Sequence, residues 1–428
     1  MSAPSPARGW LVVAAGMAVN LCLGILYAWS VWKASLIATP DAPPGTAMTG
    51  TNAGWSHLSD ADATWAYAVC GLTFALFMVP GGRLQDRYGP RLGVTLGGLF
   101  LAAGCILAGV MKSYLGLMLG FGILGGIGMG LGYAAATPAA VKWFGPHRRG
   151  LIVGLVVGGY GGAAIYIAPL AKYLIGDYGL TGSFVGLGCL FAVVVVLAGF
   201  VLKSPPPGYV PPGPKVASAT PAAPVDNRTP REMLGTRQYF ALVALMFGAA
   251  QSGLLLIANA APLLAKAAKG YPVLEQNGWL LAAFGGIVNA LGRVGTGFYS
   301  DRVGRTNAYA LNGIAAALCL AAMPAIIAAN NVVLLFVVVG IAYWQYGGGL
   351  SLLPALTADF YGPKNMGTNY GLVFLGWGLA FLVPLSAGYI KDLTGRDDTA
   401  LYLSAGILAA CVVLAKLVRK PTFAPQSL

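Results

Sequence analysis

Charge is scarce in this 428-residue chain: Asp, Glu, Lys and Arg together make up 9% of it, where a soluble domain carries about 25%. With 57% hydrophobic residues and a mean hydropathy of +0.73, the composition excludes a soluble globular protein. Carboxylates are scarcer still. Asp86, Asp177, Asp301, Asp359 and Asp392 stand at the ends of apolar runs and none stands in the middle of one. The two histidines, His57 and His147, lie in polar turns. An enzyme buried in the membrane needs a nucleophile, an acid pair or a metal cluster within its spans, and none is found, so no catalytic role, metal or cofactor is expected. The six cysteines each sit alone in an apolar run, which excludes a disulfide framework and a metal site by spacing. The net charge of +13 is spread over short turns rather than gathered in a basic patch, so nucleic acid is excluded as a partner.

What the chain has is length of apolar sequence. Runs long enough to span a bilayer centre on residues 9–31, 64–82, 91–111, 114–141, 150–174, 182–202, 239–265, 277–299, 307–328, 332–358, 367–390 and 400–416. The first is too long for a signal-peptide core and reads as a span. The stretch between the sixth and seventh, rich in proline and small residues, cannot build a helix or bury a core. The expected organisation is an all-α membrane protein of twelve helices: an N-terminal six-helix bundle (1–203), a linker (204–237) and a C-terminal six-helix bundle (238–428). Most of the 26 lysines and arginines fall in turns on one side, which places both termini in the cytosol of a cell membrane.

The two halves repeat each other. Asp86 and Asp301 are 215 positions apart, and Pro169 with Pro384 and Asp177 with Asp392 keep that separation. Duplicated six-helix units with a site between them are a transporter architecture, because rocking one against the other exposes the site to each side in turn.

One basic residue breaks the apolar pattern. Arg293 lies inside the eighth run, about two turns short of the charged pair Asp301–Arg302. An arginine there costs about 2.5–3.5 kcal/mol on insertion scales. Snorkelling to the interface is the bland explanation; an internal cavity suits its depth better. Asn289 lies one helical turn earlier, on the same face.

The turn Gly82-x-x-x-Asp86-Arg87-x-Gly89-x-Arg91 and its copy Gly297-x-x-x-Asp301-Arg302-x-Gly304-Arg305 resemble the loop motif of the major facilitator superfamily. Within it, Gly24-Ile-Leu-Tyr27-Ala-Trp29, Tyr133, Trp143-Phe144, Arg148-Arg149-Gly150, Gly159-Tyr160-Gly161 and Asn369-Tyr370-Gly371 resemble the oxalate:formate antiporter family and the related monocarboxylate transporters, including bacterial lactate carriers. The resemblance implies a major facilitator fold of two pseudo-symmetric bundles. It implies that Arg293 is the essential arginine and that Tyr27, Tyr133 and Tyr160 form an aromatic cage, with Tyr346 as a fourth position that spacing sets against Trp344. The oxalate antiporter's lysine in the eleventh span is answered here by Trp377. The aspartate that related monocarboxylate transporters carry one turn before the arginine is answered by Asn289.

A guanidinium offers a planar fork matched to a carboxylate, and one cation suits one carboxylate. A dianion would leave its second charge unpaired in a low-dielectric cavity, at a cost of several kcal/mol. The tyrosine hydroxyls are placed to donate to the anion and Asn289 to bond a hydroxyl or keto oxygen. The motif residues Gly82, Asp86, Arg87, Arg91, Gly297, Asp301, Arg302 and Arg305 are expected to hold the cytosolic side shut and to meet lipid phosphates. The expected function is secondary transport of a small monocarboxylate such as L-lactate. Its coupling partner is a proton or a counter-anion. Oxalate:formate-type antiport is the alternative, and a membrane sensor without transport is a remote one.

Overall fold

The computed structural model describes residues 6–144, 149–206, 209, 227–362, 365–396 and 398–422. Eleven helical stretches are long and apolar enough to cross a membrane, and one of these, Ile152–Val201, has 50 residues. That length is about twice what a bilayer needs. Gly179 divides it, with a non-helical φ of 70° and ψ of −178°, so the twelve expected spans are all present. They are α1 (Ala7–Leu36), α2 (Asp60–Tyr88), α3 (Pro90–Met111), α4 (Tyr114–Val141), α5 (149–178), α6 (180–201), α7 (Arg237–Ala267), α8 (Trp279–Val303), α9 (Arg305–Ala328), α10 (Val332–Tyr361), α11 (Thr368–Thr394) and α12 (Asp398–Leu417). The chain is a multi-pass membrane protein of two six-helix bundles. Both ends of the described chain fall on one face, here called the near face; the other is the far face. Arg148 and most of the proline-rich linker lie outside the described residues.

Glycine sets the close packing within each bundle. A Cβ on Gly97 of α3 would stand 2.5 Å from the backbone nitrogen of Gly132 on α4, and one on Gly128 2.4 Å from the carbonyl of Gly97, so these helices touch backbone to backbone. In the second bundle Gly292 of α8 lies against the backbone of Trp344 on α10 in the same way. The motif turns explain their own glycines: Gly89 and Gly304 have φ of 82° and 88°, a conformation costly for any residue with a Cβ. Each ends one helix and starts the next within a single residue.

Between the bundles, α2 meets α11 and α5 meets α8, the pairing expected if α2 corresponds to α8 and α5 to α11. Gly71 faces the ring of Phe381 and Gly378 faces Ala75; Gly161 faces Arg293 and Asn289. Hydrogen bonds between the bundles are distributed unevenly. Among the described residues they lie at the centre, as from Arg293 to Tyr27, or on the far face, as from Trp65 to Tyr389 and from Lys33 to Asn259. Among the described residues none lies closer to the near face than the bond from Arg293 to Val157.

Two helix ends differ from the sequence reading. The first apolar run ends at Val31, yet α1 continues to Leu36, which puts Lys33 inside the span and 1% exposed. The second apolar run begins at residue 64, yet α2 starts at Asp60, capped by Ser59 accepting from the nitrogen of Asp62. Lys33 and Asp60 pair at 2.7 Å, and each removes the charge that made the other look like loop.

Candidate functional site

The centre is built where α1 bends. From Gly24 to Ala28 it tightens into a 3-10 helix, because Gly24 is pressed against α5: a Cβ there would stand 2.4 Å from Cβ of Ala163 and 2.6 Å from the carbonyl of Tyr160. A short 3-10 segment of this kind turns side chains out of their α-helical register, and this one delivers Tyr27 between the bundles.

Arg293 reaches it from α8. The arginine is 6% exposed and Asn289 1%, so the side chain faces the interior rather than snorkelling. Its Nε donates to Oδ1 of Asn289 at 3.3 Å, its Nη1 to the carbonyl of Val157 on α5 at 3.5 Å and its Nη2 to the hydroxyl of Tyr27 at 3.2 Å. Among the described residues it has no carboxylate partner. A buried guanidinium held by neutral acceptors alone retains a deficit of negative charge, several kcal/mol in a low dielectric.

From Tyr27 a chain of hydroxyls runs on. Its oxygen lies 2.7 Å from that of Tyr346, which accepts from Nε1 of Trp377 at 3.0 Å. The hydrogens can be counted. Arg293 donates to Tyr27, Trp377 donates to Tyr346, and one hydroxyl hydrogen makes the bond between the two tyrosines. Among the described residues the other hydroxyl hydrogen is left without an acceptor, and Nδ2 of Asn289 is buried and without a partner. The cluster is thus rich in donors and short of acceptors, the composition that receives an anion.

Aromatic rings wall it. Tyr160 stands edge-on to Tyr27 with centroids 5.0 Å apart, Tyr133 edge-on to Tyr160 at 5.2 Å, and Trp377 stacks on Phe374 at 4.9 Å. Phe74 joins them, 5.8 Å from Tyr160 and 4.9 Å from Trp377. The predicted cage of Tyr27, Tyr133, Tyr160 and Tyr346 is therefore one cluster. Tyr346 takes the fourth place, while Trp344 points away and its indole covers Gly295. Tyr160 serves as wall: its hydroxyl faces Sδ of Met129 at 3.8 Å. Phe74 and Phe374 are additions that sequence reasoning missed, since a phenylalanine in an apolar run carries no signal of its own. Gly161 adds a surface without a side chain, with Nε of Arg293 and Nδ2 of Asn289 both 3.4 Å from the place its Cβ would take.

The motif residues lie apart from this centre, on the near face. Asp301 pairs with Arg305 at 2.6 Å, and Nε of Arg305 lies 3.9 Å from Asp359 at the end of α10. Arg302 covers Phe298, Arg87 covers Tyr88 and Arg91 covers Phe200, at 4.9, 5.4 and 4.8 Å from the ring centroids. A Cβ on Gly82 or Gly297 would meet nothing within 4 Å. The side chain of Asp86 lies outside the described residues. These contacts stay within each bundle.

Comparison with known proteins agrees with this fold. The sequence model of the Major Facilitator Superfamily matches residues 9–385. An uncharacterized MFS-type transporter, YhjX of Escherichia coli (strain K12), is 26% identical over 370 residues, 86% of this chain and 85% of that one. The oxalate:formate antiporter of Oxalobacter formigenes is 28% identical over 335 residues, 72% and 76% of the two chains. Monocarboxylate transporter 12 of Xenopus laevis is 25% identical over 387 residues, 86% and 83%. Among solved structures, a bacterial homolog of the human lysosomal transporter Spinster shares the fold at a TM-score of 0.62 and 17% identity, over 97% of this chain and 96% of that one.

Proposed function

The chain belongs to the Major Facilitator Superfamily, and from that membership we propose that it is a secondary carrier of a small monocarboxylate, L-lactate or a relative such as pyruvate, glycolate, acetate or formate. One observation carries the reading: among the described residues the centre holds a single fixed cation, Arg293, surrounded by unspent neutral donors, with Trp377 rather than a second cation across from it. A guanidinium fork takes one carboxylate, and the deficit of negative charge around it is made good by one anion. The relatives named for monocarboxylate and oxalate:formate transport support the class.

Binding exchanges one oxygen for another. The carboxylate takes the place that the hydroxyl of Tyr27 now holds at Nη2 of Arg293, and the uncommitted hydroxyl hydrogen of the Tyr27–Tyr346 pair turns to the anion. Nδ2 of Asn289, unpartnered beside the bare surface of Gly161, is placed to donate to an α-hydroxyl or α-keto oxygen. Rocking of the two bundles about this centre moves the anion between faces, with the near face cytosolic and the protein in the cell membrane, as the distribution of Lys and Arg supports. Proton symport is the proposed mode. No carboxylate stands near Arg293 among the described residues, so the bound anion itself and the charge of the empty carrier supply the coupling.

Uptake of labelled L-lactate into proteoliposomes tests this. Uptake that follows an inward proton gradient, disappears in Arg293→Ala and is unaffected by oxalate establishes the proposal. Movement of label only against preloaded anion, with oxalate competing well, establishes the oxalate:formate-type exchange instead.

A further inference from the structure

The far face holds a charge cluster that the transport reading leaves unused. Nζ of Lys33, on α1, donates to Oδ1 of Asp60 on α2 at 2.7 Å and to Oδ1 of Asn259 on α7 at 2.8 Å. The other oxygen of Asp60 pairs with Lys391 of α11. Next to Lys391, the carboxylate of Asp392 accepts from the backbone nitrogens of Ala61 and Asp60 at 2.9 and 3.3 Å, at the exposed-donor end of α2 where a negative charge is favoured. Gly388 lies so close to Ala61 that a Cβ would stand 3.0 Å from its Cα. Lys266 of α7 lines the same spot.

Every one of these contacts apart from Lys33–Asp60 runs from the first bundle to the second. We propose that Asp60, Lys33 and Lys391 form a charged latch that closes the far face over the central site, with the shared carboxylate of Asp60 as its centre. The division of charge makes the latch reversible. When the bundles part, Lys33 stays with Asp60 in the first and Lys391 stays beside Asp392 in the second, so neither bundle carries away a buried charge without its opposite. A cavity of about 40 Å³, lined by Asp60, Asn259, Lys266 and Lys391, has room for about two or three waters, which solvate the groups as they separate.

The same division fixes what neutralising Asp60 does. Closure then buries the ammonium of Lys33, 1% exposed, without a carboxylate, while Lys391, 28% exposed, is solvated at the rim. Leaving one partner of a buried pair uncompensated is strongly unfavourable, so the closed far face is disfavoured and the open one populated.

The test needs no substrate and no assumption about orientation. The full chain in lipid nanodiscs carries Leu255→Cys as a reporter, one turn deeper on α7 than Asn259 and 3% exposed. A water-soluble maleimide is added, and labelling is measured above that of the protein lacking the reporter. Asp60→Asn raises the labelling rate by at least about ten-fold, and adding Lys33→Met to it brings the rate back toward the starting value, because the stranded cation is gone. Mere damage to the fold would grow with the second substitution. An unchanged rate in Asp60→Asn, or a double variant labelled as fast as the single one, overturns the latch. If Asp60→Asn fails to fold, Lys391→Gln severs the same crossing, and faster or unchanged labelling decides in the same way.

Discussion

The hydroxyl of Tyr27 accepts from Nη2 of Arg293 at 3.2 Å, across 266 residues of sequence and between the two bundles. One neutral oxygen thus stands where the geometry calls for a charged one. On the proposed reading a carboxylate oxygen at the same place makes a shorter and stronger bond, which gives binding its driving force and breaks one tie between the bundles.

Arg293→Ala is expected to weaken binding of L-lactate to the purified carrier by at least about a hundred-fold, the usual scale for removing one partner of a buried charged contact. Arg293→Lys recovers only a small part, since an ammonium cannot reach Asn289, Val157 and the anion from one planar fork. Isothermal calorimetry on both variants checks this.

Trp377→Lys places a second cation beside Tyr346. Oxalate binding, measured by competition against labelled lactate, is expected to rise by at least about ten-fold as the second carboxylate gains a partner, while lactate affinity falls. Trp377→Phe keeps the stacking on Phe374 but removes the indole donor to Tyr346, with a stability loss of about 1 kcal/mol and no gain in oxalate binding.

Asn289→Asp brings a carboxylate to Nε of Arg293, where Oδ1 of the amide now lies at 3.3 Å. Ionised, it competes with the substrate for the guanidinium; protonated, it does not. Lactate affinity in this variant is therefore expected to lie below the parent's at every pH from about 8 to about 5, because an aspartate beside a guanidinium titrates below its usual value of about 3.9 and stays ionised there. Binding curves at four or five pH values between these limits decide it.

Two glycines separate packing from binding. A Cβ on Gly253 would stand 2.3 Å from the ring of Tyr346, so Gly253→Ala is expected to cost about 1–3 kcal/mol and to lower the melting temperature. At Gly161 the nearest atoms are 3.4 Å away, an ordinary contact. Gly161→Ala should therefore melt with the parent yet lose affinity for lactate more than for formate, because its methyl group fills space that the larger anion needs. Thermal unfolding beside binding of both anions distinguishes the two effects.

Much of this was legible beforehand because membranes simplify the reading of sequence. Twelve apolar runs give twelve helices, and an arginine such as Arg293 has no cheap place in one except an internal site. The halves announced themselves through Asp86 and Asp301. What escaped notice had cancelled itself out. Lys33 and Asp60 each made a helix end look like loop, and only their proximity in space shows that both are buried. Phe74 and Phe374 escaped because their role comes from the tyrosines and tryptophan they touch. Which hydroxyl hydrogen is left over at Tyr27 and Tyr346 depends on Trp377 as donor, a relation between three helices that no single run of sequence contains.

The guanidinium of Arg293, with no carboxylate beside it among the described residues, also gives the proposed carrier an electrical character. Loaded with a monoanion alone the centre is neutral and crosses the membrane field without work; empty, or loaded with an anion and a proton, it carries one positive charge. At about 2.3 kcal/mol per charge for each 100 mV, the membrane voltage acts on those charged forms and leaves the step loaded with anion alone untouched. Exchange of one monoanion for another then runs at a rate indifferent to voltage, and in symport the charged loaded and empty steps cancel, so that the full cycle moves no net charge.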